Sequence, residues 1–176
     1  HCFNDVAEDL ASHIFSLLGL PVQTTLLGVY RGENVVACKD FRTDGVFVPF
    51  DSVGESALDE GNSRIGYRYE DIEELIGHNK KLGEKEEALC LFWKTYLVDA
   101  LLANPDRHGK NWGFLKKDNV YHIAPIFDNG SSLFSSFSDA EEMAFVLSNQ
   151  DEIDERVFSR QVSLIQKNGA VSSYFE

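Results

Sequence analysis

Two segments of the chain carry apolar residues at the spacing of three and four that is typical of an amphipathic helix. In residues 4–18 the apolar positions are Val6, Leu10, Ile14, Leu17 and Leu18. In residues 84–103 they are Leu89, Phe92, Trp93, Tyr96, Leu97, Ala100 and Leu101. Gly19 ends the first pattern, and Asn104-Pro105 ends the second, because a residue before proline disfavours the helical conformation. The pattern predicts two amphipathic helices, of which the longer forms the spine of the domain.

Runs of β-branched and aromatic residues lie between the helical segments and predict two hairpins. Residues 24–30 and 34–41 are separated by Arg31-Gly32-Glu33, which is short enough to join two antiparallel strands. Residues 112–115 and 120–124 form a second such pair across a short polar turn. Hairpins interspersed with helices indicate an α+β fold.

The remaining segments carry weaker signals. Residues 42–68 are rich in Gly, Ser and Asp, which predicts an irregular surface excursion with at most a short strand at residues 46–50. Helical patterns return at residues 69–78, 139–147 and 153–165. The last ten residues of the chain are expected to fray.

Composition and charge limit the classes of protein to which the chain can belong. Its 176 residues suffice for one domain or one lobe, and a hydrophobic share of 43% is ample for a packed core. No stretch approaches the roughly 20 apolar residues of a membrane span. The net charge of −13 disfavours a broad surface that contacts the phosphate backbone of nucleic acids. Three cysteines without a C-x-x-C pair indicate reduced thiols. We therefore expect a cytoplasmic protein that binds neither a membrane nor nucleic acid directly.

A polar constellation follows the longer helix. Asp106 and Asn111 lie five positions apart in one loop, and Asp128 follows the second hairpin. Because the hairpin folds back, we expect these three side chains to converge. Carboxylate and amide oxygens suit Mg²⁺, which proteins hold with one or two carboxylates and the phosphates of a substrate. The same order of Asp, Asn and a second Asp serves phosphoryl transfer in protein kinases.

Each member of this constellation has a role in such a reaction. Asp106 would accept or orient the proton of the attacking hydroxyl, and Asn111 and Asp128 would hold Mg²⁺. Lys110 would face the phosphates as a point charge. His108 would either take part directly or fix the loop through its backbone. Any one of these residues alone would suit an ordinary cap or turn, but the combination favours a reaction site.

These residues resemble the catalytic core of HipA-type serine/threonine kinases. The likeness rests on residues 104–115, which contain N-x-D-x-H-x-K-N, and on an A-P-x-x-D element that ends at Asp128. The resemblance implies a protein-kinase-like fold, ATP and Mg²⁺ as cofactors, Asp106 as the catalytic aspartate, and Asn111 and Asp128 as metal ligands. It also implies a nucleotide-contacting hinge made of Cys38, Lys39, Asp40 and Phe41.

The resemblance also divides the chain into two parts. Residues 1–41 would be a remnant of the smaller N-terminal lobe, and residues 42–176 would be the helical C-terminal lobe. A glycine-rich phosphate loop and a strand lysine that could pair with Glu8 are missing before the hinge. Because the chain also opens at His1 without a methionine, we expect it to belong to a larger protein.

The expected activity is transfer of phosphate from ATP to a serine or threonine of a protein, either a separate substrate or the chain itself. A lipid kinase similar to phosphoinositide kinases is one alternative, and a catalytically inactive kinase fold that binds partners is another. A hydrolase with a transition metal on His108, His122 and Asp128 is a third. A regulatory protein partner is left open.

The serines after Asp128 are candidates for phosphorylation, because they lie where kinases carry an activation segment. They are Ser131, Ser132, Ser135, Ser136 and Ser138. The alternative is that they belong to an ordinary polar loop. Arg107, in the loop of Asp106, could pair with that carboxylate or with one elsewhere.

Overall fold

The computed structural model describes residues 3–55 and 68–175. The helices are α1 (Asn4–Leu17), α2 (Phe50–Glu55), α3 (Tyr69–Gly77), α4 (Lys85–Leu102), α5 (Ala140–Leu147) and α6 (Gln150–Asp154). The strands are β1 (Thr25–Tyr30), β2 (Glu33–Cys38), β3 (Val46–Pro49), β4 (Gly113–Lys117), β5 (Val120–Ile123), β6 (Val162–Lys167) and β7 (Ala170–Ser173). Helices and small antiparallel sheets alternate along the chain, so the predicted α+β class is confirmed.

The first hairpin forms as predicted and is fastened at its base to the centre of the molecule. β1 pairs with β2 in antiparallel register from Thr25 opposite Cys38. Just before β1, the Gln23 amide donates to the carbonyl of Ile126 at 2.7 Å, and the Ile126 amide donates to the carbonyl of Pro21 at 2.8 Å. This short parallel bridge places the hairpin beside the segment that leads to Asp128.

The short strand predicted at residues 46–50 is confirmed as β3, whereas the irregular excursion predicted after it is wrong for residues 50–55, which form α2. β3 pairs with β4 as the edge of the sheet β3-β4-β5, and α2 follows it directly. Phe50 is fully buried and stacks on Trp112 with ring centroids 3.9 Å apart. Residues 50–55 carry little local helical signal, and they become ordered because Phe50 packs into the core. Residues 56–67 of the predicted excursion lie outside the described residues.

Gly113 allows β3 and β4 to approach closely. A Cβ atom at this position would lie 2.3 Å from the Val48 carbonyl oxygen and 2.9 Å from the Pro49 Cα, both of them backbone atoms. We expect Gly113→Ala to lower the free energy of unfolding by about 1–3 kcal/mol, the usual effect of overpacking. Urea denaturation measures this, and Gly28→Ala is the control because its Cβ would meet nothing within 4 Å. Equal effects at both positions would contradict the steric role of Gly113.

The helix predicted at residues 153–165 is confirmed only as far as Ser159, and the frayed end predicted for the last ten residues is wrong for those that the structure describes. After α6 a π-helical turn, Glu155–Ser159, leads into the antiparallel hairpin β6-β7. Asn168 and Gly169 connect the strands with φ of 54° and 80°. Such positive φ values are those of a type I′ turn, and Asn-Gly is its preferred sequence, so this signal was present in the chain. Tyr174 anchors the end by donating its hydroxyl to the Asn104 carbonyl at 2.9 Å.

α4 is the predicted spine, but its buried face differs from the predicted stripe. Leu97 and Leu101 are 67% and 75% exposed, whereas the face that packs inward is made of Ala88, Leu91, Phe92, Thr95, Val98, Asp99 and Leu102. One core cluster joins α4 to Phe50, Trp112 and Phe114 of the central sheet region. A second core cluster joins α4 to α1, so these two helices share a core. The boundary between two lobes at residue 41 stays a prediction. Among the described helices, none is both long and apolar enough to cross a membrane.

Candidate active site

The loop after α4 begins with a sharp change of direction at the helix end. Ala103 adopts a left-handed conformation with φ of 53°, and the Asn104 amide donates to the Asp99 carbonyl at 2.9 Å. The side-chain amide of Asn104 donates to Asp99 Oδ1 at 2.9 Å, and its oxygen accepts the Asp106 amide at 3.1 Å. Fully buried Asn104 therefore fixes the exit from α4 and the start of the loop that carries Asp106.

Asp106 and Asn111 are brought together by hydrogen bonds within the loop. The Asp106 carbonyl accepts the His108 amide at 2.8 Å, and the His108 carbonyl accepts the Asn111 amide at 2.9 Å. The side-chain nitrogen of Asn111 also donates to the Asp106 carbonyl at 2.9 Å. This bond fixes the orientation of the Asn111 amide, and its oxygen is left as the atom that a cation would bind.

Arg107 joins this loop to the one that carries Asp128. Its Nε and Nη2 donate to the two carboxylate oxygens of Asp99 at 2.8 and 3.0 Å. Nη1 donates to the Asn111 carbonyl at 3.0 Å and to the Phe127 carbonyl, and Nη2 also donates to the side-chain oxygen of Asn129. A guanidinium has five N–H groups, and each of these bonds uses one. Arg107 therefore bridges α4, the Asp106 loop and the Asp128 loop.

The ion pair between Arg107 and Asp99 lies in the protein interior. The two side chains are 4% and 0% exposed. Burial alone would lower the pKa of Arg107, but the charge and hydrogen bonds of Asp99 outweigh it, so the pKa is raised. Arg107 thus pairs with a carboxylate other than Asp106, which decides between the two partners that the sequence left open. The carboxylate of Asp106 remains directed to the surface, with 52% of its side chain exposed.

The Asp128 loop is fixed from its other side by α1. Asp128 has a left-handed backbone with φ of 56°, a conformation that aspartate tolerates better than most residues. The amide of Asn129 donates to the carboxylate of Glu8, and the Asn129 side chain donates to the Ser12 hydroxyl at 3.0 Å. Burial raises the pKa of Glu8, and the charge of Asp128 adds to this, against the lowering effect of the Asn129 amide. Glu8 therefore contacts the proposed metal loop directly.

His108 and Lys110 lie in the same loop but in different environments. The Lys110 amide donates to His108 Nδ1 at 3.2 Å, so the proton of the neutral ring is assigned to Nε2. His108 Nε2 lies 3.8 Å from Asp106 Oδ1. His108 thus both fixes the loop and approaches the proposed catalytic carboxylate, while Lys110 is exposed at the rim.

The predicted hinge residues approach the Asp128 loop through Phe41. The Phe41 ring lies 5.3 Å from that of Phe127, centroid to centroid, and Phe127 directly precedes Asp128. Both backbone groups of Lys39 are already engaged, its amide with the Thr24 carbonyl at 2.9 Å and its carbonyl with the Gln23 side chain at 2.8 Å. The Lys39 backbone is therefore occupied within the chain.

The other two hinge residues carry ionisable groups. Asp40 forms two side-chain hydrogen bonds with Arg42, at 2.8 and 3.0 Å, which lower the pKa of Asp40 to about 2. Partial burial raises the pKa of Cys38, and the negative charges of Glu8 and Asp128 raise it further. The end of β2 lies near the Asp128 loop, since Phe41, three positions after Cys38, contacts Phe127.

The chain matches a known protein family over almost its whole length. The family model described as the HipA-like C-terminal domain matches residues 3–173. The chain belongs to this family. It is similar to the serine/threonine-protein kinase CtkA of Helicobacter pylori (strain J99 / ATCC 700824), with 40% identity over 168 residues, covering 94% of this chain and 50% of that protein. The HipA-like domain thus spans about half the length of this curated relative.

Solved structures agree with this family assignment. The crystal structure of a Helicobacter pylori proinflammatory kinase, CtkA, superposes on this HipA-like domain with a TM-score of 0.86 at 37% identity, covering 97% of this chain and 62% of the other. A chain of the toxin–antitoxin complex of HipA, HipB and operator DNA from Shewanella oneidensis MR-1 gives a TM-score of 0.56 at 15% identity, with 86% and 45% covered. At that identity the likeness concerns the fold alone. The predicted kinase-like fold is confirmed.

The three ligands that the hydrolase hypothesis requires, His108, His122 and Asp128, do not form a metal site in the described part of this HipA-like domain. Within residues 3–55 and 68–175, no group of three or more His, Cys, Asp or Glu is arranged to hold a metal ion. His122 lies on β5, where its Nδ1 is 3.7 Å from a carboxylate oxygen of Glu84. Asn111 and Asp128 remain the predicted ligands of Mg²⁺, an ion that proteins usually hold with one or two carboxylates and the phosphates of a substrate.

Sequence reasoning missed the buried residues that support the site. Asp99 and Asn104 at the end of α4, and Ser12 and Asn129 beyond it, are all buried in the HipA-like domain. Asp99 carried a signal, because it is a carboxylate within an otherwise apolar stretch of a helix. Ser12 and Asn129 are 117 positions apart in sequence, and their contact has no local signal.

Proposed function

We propose that this HipA-like domain transfers the γ-phosphoryl group of ATP, bound with Mg²⁺, to a serine or threonine hydroxyl of a protein. The observation that carries this proposal is the joining of the two loops that bear Asp106, Asn111 and Asp128, made by Arg107 from the interior. The serine/threonine-protein kinase CtkA, the curated relative, supports the same reaction class.

The donor atoms of the site fit Mg²⁺. Carboxylate and amide oxygens are the hard ligands that this ion prefers, and one or two of them suffice when phosphates complete the shell. The hydrogen bond from the side-chain nitrogen of Asn111 to the Asp106 carbonyl fixes the orientation of the Asn111 amide. Without this bond, the nitrogen and the oxygen of the amide could exchange places. Asp128 extends from a left-handed position whose neighbour, Asn129, is tied to α1 and to Arg107. Asn111 and Asp128 would therefore hold the ion.

The residues of the chain then act on the acceptor hydroxyl and on the donor. Bound Mg²⁺ and ATP supply the electrophilic phosphorus and offset the charge that develops on it. Asp106 accepts the proton of the attacking hydroxyl, for which its exposed carboxylate is accessible. Lys110 at the rim supplies a positive charge toward the phosphates. His108 holds the shape of the loop and keeps an N–H directed to Asp106.

An aromatic cluster supports a nucleotide site on the hinge side. Phe41, Phe47 and Phe127 contact one another with ring centroids 5.2 to 6.1 Å apart. Because Phe127 precedes Asp128, a base that contacts this cluster would have its phosphates close to the proposed metal ligands. Cys38 to Phe41 remain the proposed contacts for the base, through backbone groups other than those of Lys39.

Asp128→Asn tests the metal site of the proposal. We expect this change to raise the Mg²⁺ concentration for half-maximal phosphate transfer by at least about tenfold, because a carboxylate ligand becomes neutral. Asp118→Asn is the matched control, since Asp118 is also exposed and also has a left-handed backbone, with φ of 48°. Transfer of labelled phosphate to a pool of serine and threonine peptides, measured in the full-length protein across a Mg²⁺ titration, reports the shift.

The same assay separates the alternatives. An unchanged Mg²⁺ dependence in Asp128→Asn would contradict the assignment of this ligand. Transfer to phosphoinositide vesicles in place of peptides would favour a lipid kinase, and no transfer to either would favour an inactive fold that binds partners.

A further inference from the structure

A groove of about 390 Å³ is formed by β3, α2, α3 and the loop that follows α3. Its volume lies within the range of about 300–1,000 Å³ that is usual for ligand sites. Val48 and Leu75 supply apolar surface, and Tyr121 of β5 adds an aromatic ring. The groove can therefore take an apolar side chain of a bound partner.

One wall of the groove is hydrogen-bonded to the loop that carries Asp106. The amide of Asp51 in α2 donates to the carbonyl of Gly109, a residue of that loop, at 3.1 Å. Ser52 and Val53 directly follow Asp51 and line the groove. A protein segment bound in the groove would therefore lie beside the proposed catalytic loop.

Lysine side chains gather where α3 ends. Lys80 and Lys81 line the groove, and both are exposed. Among the described residues, neither of these two lysines has an ion-pair partner. The Lys81 carbonyl accepts the Tyr121 amide at 2.9 Å, and Lys116 Nζ lies 5.9 Å from the centroid of the Tyr121 ring. Three lysines thus lie close to the aromatic residue of the groove.

The carboxylates of the groove lie earlier on α3. Asp71 is buried and accepts two side-chain hydrogen bonds from Arg68, at 2.6 and 3.1 Å, so its charge is compensated. Glu74 is exposed and would repel another carboxylate. The positive charge that the groove offers to a partner is therefore concentrated at Lys80 and Lys81.

This local positive charge contrasts with the chain as a whole, which has 29 acidic and 16 basic side chains. A basic site on an acidic protein attracts partner segments of negative charge and sets their orientation. The apolar surface beside the lysines favours a polypeptide over nucleic acid, because most hydrogen bonds to nucleic acid go to phosphate and sugar.

We propose that this groove docks an acidic segment of the acceptor protein, with carboxylates at Lys80 and Lys81 and an apolar side chain against Val48 and Tyr121. This inference rests on the proposed kinase function and adds a substrate class to it. Docking selects the acceptor by a contact separate from the reacting serine or threonine. Because docking raises the effective concentration of the acceptor near Asp106, it lowers KM and leaves kcat for an undocked peptide unchanged.

Two serine peptides that differ only in one flanking tripeptide test the proposal. One carries Asp-Asp-Leu and the other Lys-Lys-Leu, each at several distances from the serine. At low ionic strength we expect the full-length protein to phosphorylate the acidic peptide with a kcat/KM at least about tenfold higher. The difference should shrink as salt is added, because salt screens exposed charges.

Charge reversal in the groove identifies the residues responsible. Lys80→Glu and Lys81→Glu should each reduce the preference for the acidic peptide at least about threefold, with kcat for a peptide that lacks the flank unchanged. Lys94→Glu is the matched control, because Lys94 is exposed on α4 and does not line the groove. An equal loss of preference in Lys94→Glu would show a general charge effect and overturn the proposal.

Fluorescence anisotropy of the labelled acidic peptide without ATP measures docking by itself. Binding that Lys80→Glu weakens, with no phosphorylation of any peptide, would support the groove and contradict the proposed kinase function. Equal binding and equal kcat/KM for the two peptides would overturn the docking groove and leave the kinase function standing. Self-association that Lys80→Glu abolishes in sedimentation velocity would identify a second copy of the chain as the occupant and overturn the proposal.

Discussion

Asp106→Asn is expected to lower kcat for phosphate transfer by about 10²- to 10⁴-fold, the usual contribution of a general base. The side chain is 52% exposed, and its carboxylate oxygens lie 3.5 Å from Ser131 Oγ and 3.8 Å from His108 Nε2. The bonds that shape the loop use the backbone of Asp106, which the substitution retains. The free energy of unfolding and the KM for ATP should therefore change little while kcat falls.

Steady-state kinetics and urea denaturation of the same preparations measure these quantities. Asp118→Asn serves again as the control, because it removes an exposed carboxylate from the turn between β4 and β5, outside the loop of Asp106. A variant that keeps most of its kcat would show that Asp106 is not the base. A variant with a lower free energy of unfolding would show that Asp106 also has a structural role.

Arg107→Met is expected to lower the free energy of unfolding by about 3–5 kcal/mol, because it leaves the buried carboxylate of Asp99 without its cation. Both side chains are almost completely buried. The carbonyls of Asn111 and Phe127 lose a donor as well. Urea denaturation measures the loss. Arg160→Met is the matched control, since the ion pair of Arg160 with Glu155 is exposed and its loss should cost little.

Arg107→Lys separates positioning from stability. Lysine keeps the positive charge for Asp99, but its single ammonium cannot reach three segments as a guanidinium does. We expect a smaller loss of stability and a fall in kcat/KM of about 10- to 100-fold, the range seen when a supporting residue behind metal ligands is changed. The Mg²⁺ requirement should rise as well, because the Asn111 and Asp128 loops are no longer joined. Wild-type Mg²⁺ dependence in a folded Arg107→Lys protein would contradict this positioning role.

The order of Asp106, Asn111 and Asp128 could be predicted from the sequence because each of them lies in or next to a short element with its own local signal. The spacing of Asp106 and Asn111 is fixed by one tight loop, and the β4-β5 hairpin that returns the chain to Asp128 has local strand and turn signals. The errors occurred where local signals were weak or were overlooked. α2 depends on burial of Phe50 against Trp112, and the β6-β7 hairpin was missed although Asn168-Gly169 marked its turn.

The sequence by itself determined the kinase-like α+β class, the two principal helices, and the residues that carry the proposed chemistry. Periodicity and motif spacing act over a few residues, so they can be recognised without coordinates. The tertiary structure alone decided which residues hold those groups in place: Arg107 with Asp99, Glu8 with Asn129, and Ser131 with Asp106. These pairs join segments distant in the chain or turn a side chain inward, and their hydrogen bonds are determined by packing in three dimensions.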